Sequence, residues 1–458
     1  MIIFDRLTIF DRFDRFDHFW PFRIFCQLTF LPAHFFGFQL LFDNKLYVSV
    51  ISFFSVSKFD PIFMAKSVRQ MKIRRRPVII SHSVNSGCNL RCVFCDEWKK
   101  NSHTGSFISS EKNLPFVSPP VLSLDSSSVS SPDSSSVSFP DSSSVSSPGS
   151  SSVSSPVLPS VSSSDPSFED VCKIIDLAVD FGIGSYNAWS AEPLLRKDLP
   201  MIMKYAKSKG MKTFMITNGI LLKKRMNELG DVDYISVSVD GPTATREIRK
   251  ADYKTIIDGI RYASESGLLN TPLLMNCVIS AKNLNEVADL ARFAKELGNV
   301  KMAVEPIYLF KRINETDWDD LIIGPAHRET FVSLMNELIE MKKEGYPLIN
   351  SKTYLKQIRD GKDIRNCRVD RSILAIDHSN NLYNCRIHNE PLGNVIENSV
   401  FDENGKIIKN GITEVWNKTK KERKGMTQNC EGCRFFGYAE LTLMNNYNLE
   451  SFYGYEWL

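Results

Sequence analysis

Between Val78 and Pro306, short apolar runs alternate with stretches whose apolar residues recur at helical spacing. The apolar runs predict strands at Val78–Val84, Gly182–Ala188, Lys212–Thr217, Tyr234–Val239, Leu273–Ile279 and Val300–Pro306. The amphipathic stretches predict helices at Phe168–Phe181, capped by Asp165 or Ser167, near Asp198–Ser208, and at Leu221–Leu229, Tyr253–Ser266 and Leu284–Leu297. Strands alternating with helices build a parallel sheet, so the expected class is α/β, a partial (β/α)6 barrel of TIM type over residues 78–310. Chemistry in such a fold sits at the carboxyl ends of the strands. Farther on, Phe331, Leu334, Met335, Leu338 and Ile339 share one face of a predicted helix at Arg328–Lys343, within linker helices over 311–364. Core packing is its expected use.

Two stretches break this rhythm. Residues 1–63 hold 16 of the 30 phenylalanines and a stuttering Asp-Arg-Phe repeat, with neither helical nor strand period. Ile24 to Phe42 lacks Asp, Glu, Lys and Arg, but Pro32, His34 and Gly37 weaken a membrane span, and the start lacks the basic region and cleavage site of a secretory signal. The preferred reading is an extension of the gene model, with the working protein beginning near Met64 or Met71; the rival is a membrane-associating leader. Residues 101–166 contain four octads of the pattern Asp/Gly-Ser-Ser-Ser-Val-Ser-Ser/Phe-Pro. So few apolar residues cannot offset the entropy of ordering the chain, so a disordered insertion that carries no chemistry is expected.

Charge changes little in this picture. With 56 basic and 53 acidic residues, the net charge of +3 gives no reason to expect a nucleic acid or an anionic membrane as partner. Cysteine spacing changes much more. Cys88, Cys92 and Cys95 follow the first strand as C-x3-C-x2-C, and Cys367, Cys385, Cys430 and Cys433 form a later group of four. Three thiolates suit a cubane iron–sulfur cluster that leaves one iron open, whereas a structural zinc wants four ligands. His82, His103 or Asp96 could complete a zinc site, so that alternative stands beside the first. The group of four fits zinc about as well as iron–sulfur by itself. Cys26, Cys172 and Cys277 read as small apolar residues, and His327, His378 and His388 as surface or hydrogen-bonded histidines.

From Val78 to Phe310 the sequence resembles the radical S-adenosylmethionine (SAM) superfamily. The resemblance implies that Cys88, Cys92 and Cys95 hold a [4Fe-4S] cluster and that Phe94 packs near the adenine of SAM. Ser190-Ala191-Glu192-Pro193 stands where the family has Gly-Gly-Glu-Pro, which implies a SAM-binding role for Glu192. Thr217-Asn218-Gly219 and Ser236-Val-Ser-Val-Asp-Gly-Pro242 look like further family segments, and imply cofactor contacts by Ser238 and Asp240. Asn276, Val278 and Ser280 are weaker candidates, read first as core and strand end. Residues 365–440 resemble a twitch or shortened SPASM domain, with Gly393-Asn394-Val395 and Trp416 in pattern and Asn380 where the family has glycine. This implies one auxiliary [4Fe-4S] cluster on Cys367, Cys385, Cys430 and Cys433, followed by an aromatic tail over 441–458 that docks on the barrel or lines a substrate mouth.

The activity implied is reductive cleavage of SAM to a 5′-deoxyadenosyl radical, hydrogen abstraction from a small-molecule or peptide substrate, and electron removal through the auxiliary cluster. Small-molecule dehydrogenation is favoured; a ribosomal-peptide maturase and a cofactor-biosynthesis enzyme are the alternatives. A flavodoxin or ferredoxin would supply electrons in a reducing cytoplasm. A non-catalytic zinc protein that binds partners is the reading from another class.

Overall fold

The computed structural model describes strands Phe25–Gln27, Gln39–Phe42 and Leu46–Ser49 together with residues 61–95, 165–189, 191–307, 320–388, 390–448 and 450–451. The chain divides into two units, Met1–Ile62 and Phe63–Leu458. In the first, the three short strands pair antiparallel in chain order, where the sequence had shown no strand period. No helix among the described residues is long and apolar enough to cross a membrane. The octad insertion expected to be disordered, the fourth-ligand candidates Asp96 and His103, Ser190, and the tail beyond residue 451 lie outside the described residues.

In the second unit the six predicted strands are β1 (Ile79–His82), β2 (Ser185–Ala188), β3 (Lys212–Thr217), β4 (Tyr234–Ser238), β5 (Leu273–Ile279) and β6 (Val300–Pro306). All six pair in parallel, each with the next in chain order. The helices between them include α1 (Phe168–Phe181), α2 (Leu199–Ser208), α3 (Leu222–Arg225), α4 (Tyr253–Glu265) and α5 (Val287–Leu297), with a further short helix at Pro242–Glu247. Of the two cap candidates for α1, Ser167 acts, its side chain accepting from the Asp170 N–H, and Gly182 ends the helix at φ 99°. Asp165 instead accepts the Ser86 N–H at 2.7 Å. Val171, Ile174, Ala178 and Phe181 of α1 are buried, which accounts for the helical period in the sequence.

The sheet does not stop at six strands. After α6 (Arg328–Lys343) and α7 (Lys352–Arg359), the chain returns as β7 (Ile373–Ile376), β8 (Asn381–Tyr383) and β9 (Pro391–Asn394). Residues 365–440 were expected to form a small α+β domain after the barrel, and their strand β7 pairs in parallel with β1 from Ile373 opposite Ile79 to Ile376 opposite His82. The result is one open sheet in the order β9-β8-β7-β1-β2-β3-β4-β5-β6. Without β7, the edge of β1 would leave its backbone groups unpaired beside a buried strand. The turn from β7 to β8 explains its own sequence. Asp377 accepts the N–H groups of Ser379 and Asn381 and the Tyr383 hydroxyl, while Asn380 takes the left-handed conformation at φ 67°. Thus asparagine does there what glycine does in the pattern it resembles.

Helices α8 (Gly411–Lys418), α9 (Lys420–Gln428) and α10 (Phe436–Asn445) complete the unit. Trp416 of α8 packs edge-on against Phe181 of α1 with centroids 5.8 Å apart, and the guanidinium of Arg423 of α9 lies over its ring. Helix α10 buries Phe436, Tyr438, Leu441 and Met444, whereas Tyr447, just past its end, is exposed.

The stretch after β2 is held by a buried arginine. Arg196 pairs with Asp198 through two nitrogens, at 2.7 and 2.9 Å, and donates to the carbonyls of Val84 and Pro166. It ties the loops after β1 and β2 to the start of α1. Arg196→Ala would strand two buried carbonyls and one carboxylate, a loss of roughly 3 kcal/mol. Urea denaturation is expected to show that loss; a change below about 0.5 kcal/mol, the ordinary surface value, would contradict this role.

Candidate functional site

The loop from Ser83 to Cys95 follows β1 and has no regular structure, so its anchors come from its neighbours. The Ser83 N–H donates to Ile376 O of β7 at 2.8 Å, and Glu192 N–H donates to Gly87 O at 3.0 Å. The Asn85 side chain donates to Gly87 O and Glu192 O, and Val93 N–H donates to Ile248 O at 2.8 Å. Cys88 Sγ accepts from the Leu90 N–H at 3.4 Å, with the Asn218 amide 3.9 Å away. The Cys92 thiol faces the carbonyl of Arg249 at 3.7 Å. Phe94 and Val93 pack on Ala244, Ile248 and Leu321, and the guanidinium of Arg249 lies 5.4 Å from the Phe94 ring centroid.

Two buried carboxylates fix this arrangement. Glu192 is fully buried; its Oε1 accepts from Leu194 N–H and the Thr217 hydroxyl, and its Oε2 from Asn218 N–H at 2.8 Å. It therefore locks the end of β2 to the end of β3, and burial pushes its pKa up to about 7. Asp240, after β4, holds Arg249 at 2.5 and 3.0 Å and also accepts the Val278 N–H of β5. Arg249 was not singled out in the sequence. Its signal was an arginine nine residues past Asp240, on a segment with no period of its own. Ser238 is half-buried at the end of β4, opposite Asn276 in register. Phe94, Glu192, Ser238, Asp240 and the three cysteines thus gather at the carboxyl ends of the strands.

His82 does not complete the first cysteine group. His82 is fully buried and shares a hydrogen bond with Tyr186 at 3.0 Å, and burial pushes its pKa down to about 3. Its strand neighbour Ser81 lines the interior of the sheet, so His82 points to the opposite face. Among the described residues, no three His, Cys, Asp or Glu side chains group as ligands of one metal ion. A cubane does not ask that of them, because each thiolate binds a different iron. The donor set fits such a cluster: three cysteines in an apolar loop, with burial raising Cys88 to about 11 and Cys92 to about 12. Thiols this hard to ionise give up their protons when a cation compensates the charge.

The second group also comes together. Cys367, Cys385 and Cys433 lie in one apolar cluster with Val369, Phe435 and Tyr438. Cys430 lies close enough to interact electrostatically with all three, and its thiol faces Gly432 O at 3.6 Å. Burial raises Cys367 to about 12 and also raises Cys385 and Cys433. Backbone N–H groups of Val369, Ile387, His388 and Phe435 point at these sulfurs, as charged thiolates require. Four such donors suit a fully ligated metal group.

The sheet also surrounds a cavity of about 170 Å³. Its lining includes Ser81, Asn187, Phe214, Tyr234, Asn276 and Glu305 from six different strands, with α10 across one side. Phe435 and Tyr438, edge to face at 4.9 Å, line this cavity and also pack on the second cysteine group. That double placement could not be read from the sequence.

Residues 150–294 match the family model described as "Radical SAM superfamily". Among curated relatives, a "Probable GTP 3',8-cyclase" of Methanococcus vannielii is 31% identical over 142 residues, 30% of this chain and 47% of that protein. The protein of the same name in Methanocaldococcus jannaschii is 31% identical over 147 residues, 31% of this chain and 49% of that one. The chain thus spans about half the length of the curated relatives it matches. Among solved structures, "Native anSMEcpe with bound AdoMet" aligns with TM-score 0.45 and 13% identity over 79% of this chain and 88% of that one. Streptococcus suis SuiB aligns with TM-score 0.44 and 14% identity over 70% and 64%.

A consequence of the buried thiols can be measured on the iron-free protein. With its pKa at about 12, Cys92 holds about a thousandfold less thiolate at pH 8 than a thiol at the ordinary value of 9.0. Iodoacetamide labelling followed by peptide mass spectrometry is expected to be slower at Cys92 in folded than in urea-denatured protein by two to three powers of ten. Equal rates would mean that the loop is open to solvent.

Proposed function

We propose, from the match of residues 150–294 to the Radical SAM superfamily model, that the chain is a radical SAM oxidoreductase acting on a small molecule held inside the sheet. When bound at Cys88, Cys92 and Cys95, a [4Fe-4S] cluster with one open iron would supply the electron that splits SAM into methionine and a 5′-deoxyadenosyl radical. The chain's own residues do the positioning. Phe94 offers an apolar face for the adenine, and Ser238 offers a hydroxyl at the end of β4. Glu192 and Asp240 act from behind, since their oxygens already hold Thr217, Asn218, Arg249 and Val278. They are positioning residues that keep the cysteine loop and the strand ends in register. The enclosing sheet excludes water and stray hydrogen donors from the radical.

A second [4Fe-4S] group on Cys367, Cys385, Cys430 and Cys433 would accept the electron left on the substrate, since four cysteines leave no iron open. The observation that carries this reading is the aromatic layer of Phe435 and Tyr438, which touches both the cavity and these cysteines. An electron leaving the cavity crosses one layer of rings. A flavodoxin or ferredoxin of a reducing cytoplasm would reduce the first group. The second reading follows the curated relatives, whose names give GTP as substrate. The lining of the cavity favours it less: Lys301 is the one cation among the described residues there, and most of the walls are apolar, whereas a triphosphate calls for several cations.

Anaerobic assay of the reduced, reconstituted protein tests the proposal. Cys92→Ala is expected to abolish 5′-deoxyadenosine formation. Cys430→Ala is expected to keep SAM cleavage while net substrate oxidation falls by a factor of a hundred or more. Full turnover in the Cys430 variant would remove the second cysteine group from the reaction, and a colourless protein with about two zinc ions per chain would overturn the whole reading.

A further inference from the structure

The chamber inside the sheet has hydrogen-bond acceptors that nothing in the described chain satisfies. Asn276 donates its amide nitrogen to Glu305 Oε1 at 3.2 Å, which leaves its own Oδ1 to another donor. That oxygen is buried and meets no donor among the described residues. Asn187 repeats the situation from β2: its nitrogen reaches Ser81 Oγ at 3.5 Å and its Oδ1 is buried without a donor among the described residues. Glu305 itself is buried, and it accepts from two neutral donors, the Asn276 amide and the Phe436 N–H at 2.8 Å. Buried acceptors are rarely left unpaired, because they lose their hydration and gain nothing for it. Two such oxygens and a carboxylate that accepts only from neutral donors, around one space, mark where a ligand's donors go.

The charge balance narrows the ligand. Burial raises the Glu305 pKa, and Arg249, which opposes that shift, is already paired with Asp240. Lys301, the lysine that lines the chamber, stands four residues back on β6, roughly 13 Å along the strand. A cation brought by the ligand is the group that suits Glu305. Elsewhere the walls are aromatic, with Phe214 and Tyr234 stacked at 4.8 Å. The acceptor end also lies toward the cysteine loop, because Ile307, two residues after Glu305, packs in the same cluster as Phe94. The cavity of about 170 Å³ is close to the ~150 Å³ that accommodates one benzene ring.

We propose that this chamber takes a small apolar amine, its ring or chain against Phe214 and Tyr234 and its ammonium group between Glu305 and the Asn276 side-chain oxygen. This rests on reading the chamber as the substrate site of the enzyme. It makes Glu305 and Asn276 the residues that select the substrate by charge.

Calorimetric titration of the full-length, cluster-reconstituted protein without reductant tests binding apart from catalysis. The probes are benzylamine, benzyl alcohol and benzoate, which share size and differ in charge. Benzylamine is expected to bind about tenfold or more tighter than benzoate, with benzyl alcohol between them. Glu305→Gln keeps an acceptor for the Phe436 N–H and is expected to remove most of that preference. Should this variant melt early, Asn276→Ala is the second probe, and it is expected to weaken benzylamine while leaving benzyl alcohol within about threefold. Benzoate binding as tightly as benzylamine, a preference that survives in a folded Glu305→Gln protein, or no benzylamine binding at millimolar concentration would each overturn the proposal. SAM cleavage, followed separately as 5′-deoxyadenosine, reports on the radical chemistry, so failure of one reading is distinct from failure of the other.

Discussion

The cysteine loop after β1 has to be rigid without secondary structure of its own, and buried hydrogen-bonded charge is what makes it so. Glu192 joins the ends of β2 and β3 under the loop, and the Asp240–Arg249 pair joins the ends of β4 and β5 beside it. Arg196 closes the same ring from below through Val84 and Pro166. Each of these groups is costly to bury alone and each is hydrogen-bonded; within the Asp240–Arg249 and Arg196–Asp198 pairs, losing one partner would leave the other's charge uncompensated, while Glu192 is held by neutral donors. Several separate anchors thus hold the loop. That suits a site whose parts must stay in line to fractions of an ångström.

The same reuse of parts shows in how the sheet is finished. A six-stranded parallel sheet would end at β1 with a row of unpaired backbone groups. The β7–β8–β9 meander covers that edge, and Cys385 follows just after β8 to join the second cysteine group. Helix α10 then passes over the interior, with Phe435 and Tyr438 between the cavity and the second cysteine group. Covering an edge, lining a chamber and placing four thiols are thus done by one continuous stretch of chain. The sheet order makes this stretch part of the same folding unit as the barrel.

Local features were the legible ones. The strands β1 to β6 and helix α1 follow from period and caps, and the left-handed Asn380 from its place in a turn. The cysteine groups were visible because their spacing is rare by chance. What escaped was long-range. That β7 would lie against β1 is settled by which edge is free, not by any property of Ile373–Ile376 alone. Arg249 could not be chosen in advance from the other arginines, because its importance lies in facing Asp240. Glu305 and Asn276 looked like strand residues, and only their shared chamber gives them meaning.

At the centre stands the proposal that the first cysteine group holds a cluster with an open iron to which SAM binds directly. Electron paramagnetic resonance of the reduced, reconstituted protein, titrated with SAM under strict anaerobiosis, tests this most directly. The signal carried by Cys88, Cys92 and Cys95 is expected to change shape as SAM is added, and that change is expected to vanish when any one of the three is replaced. A spectrum indifferent to saturating SAM in the intact protein would contradict it.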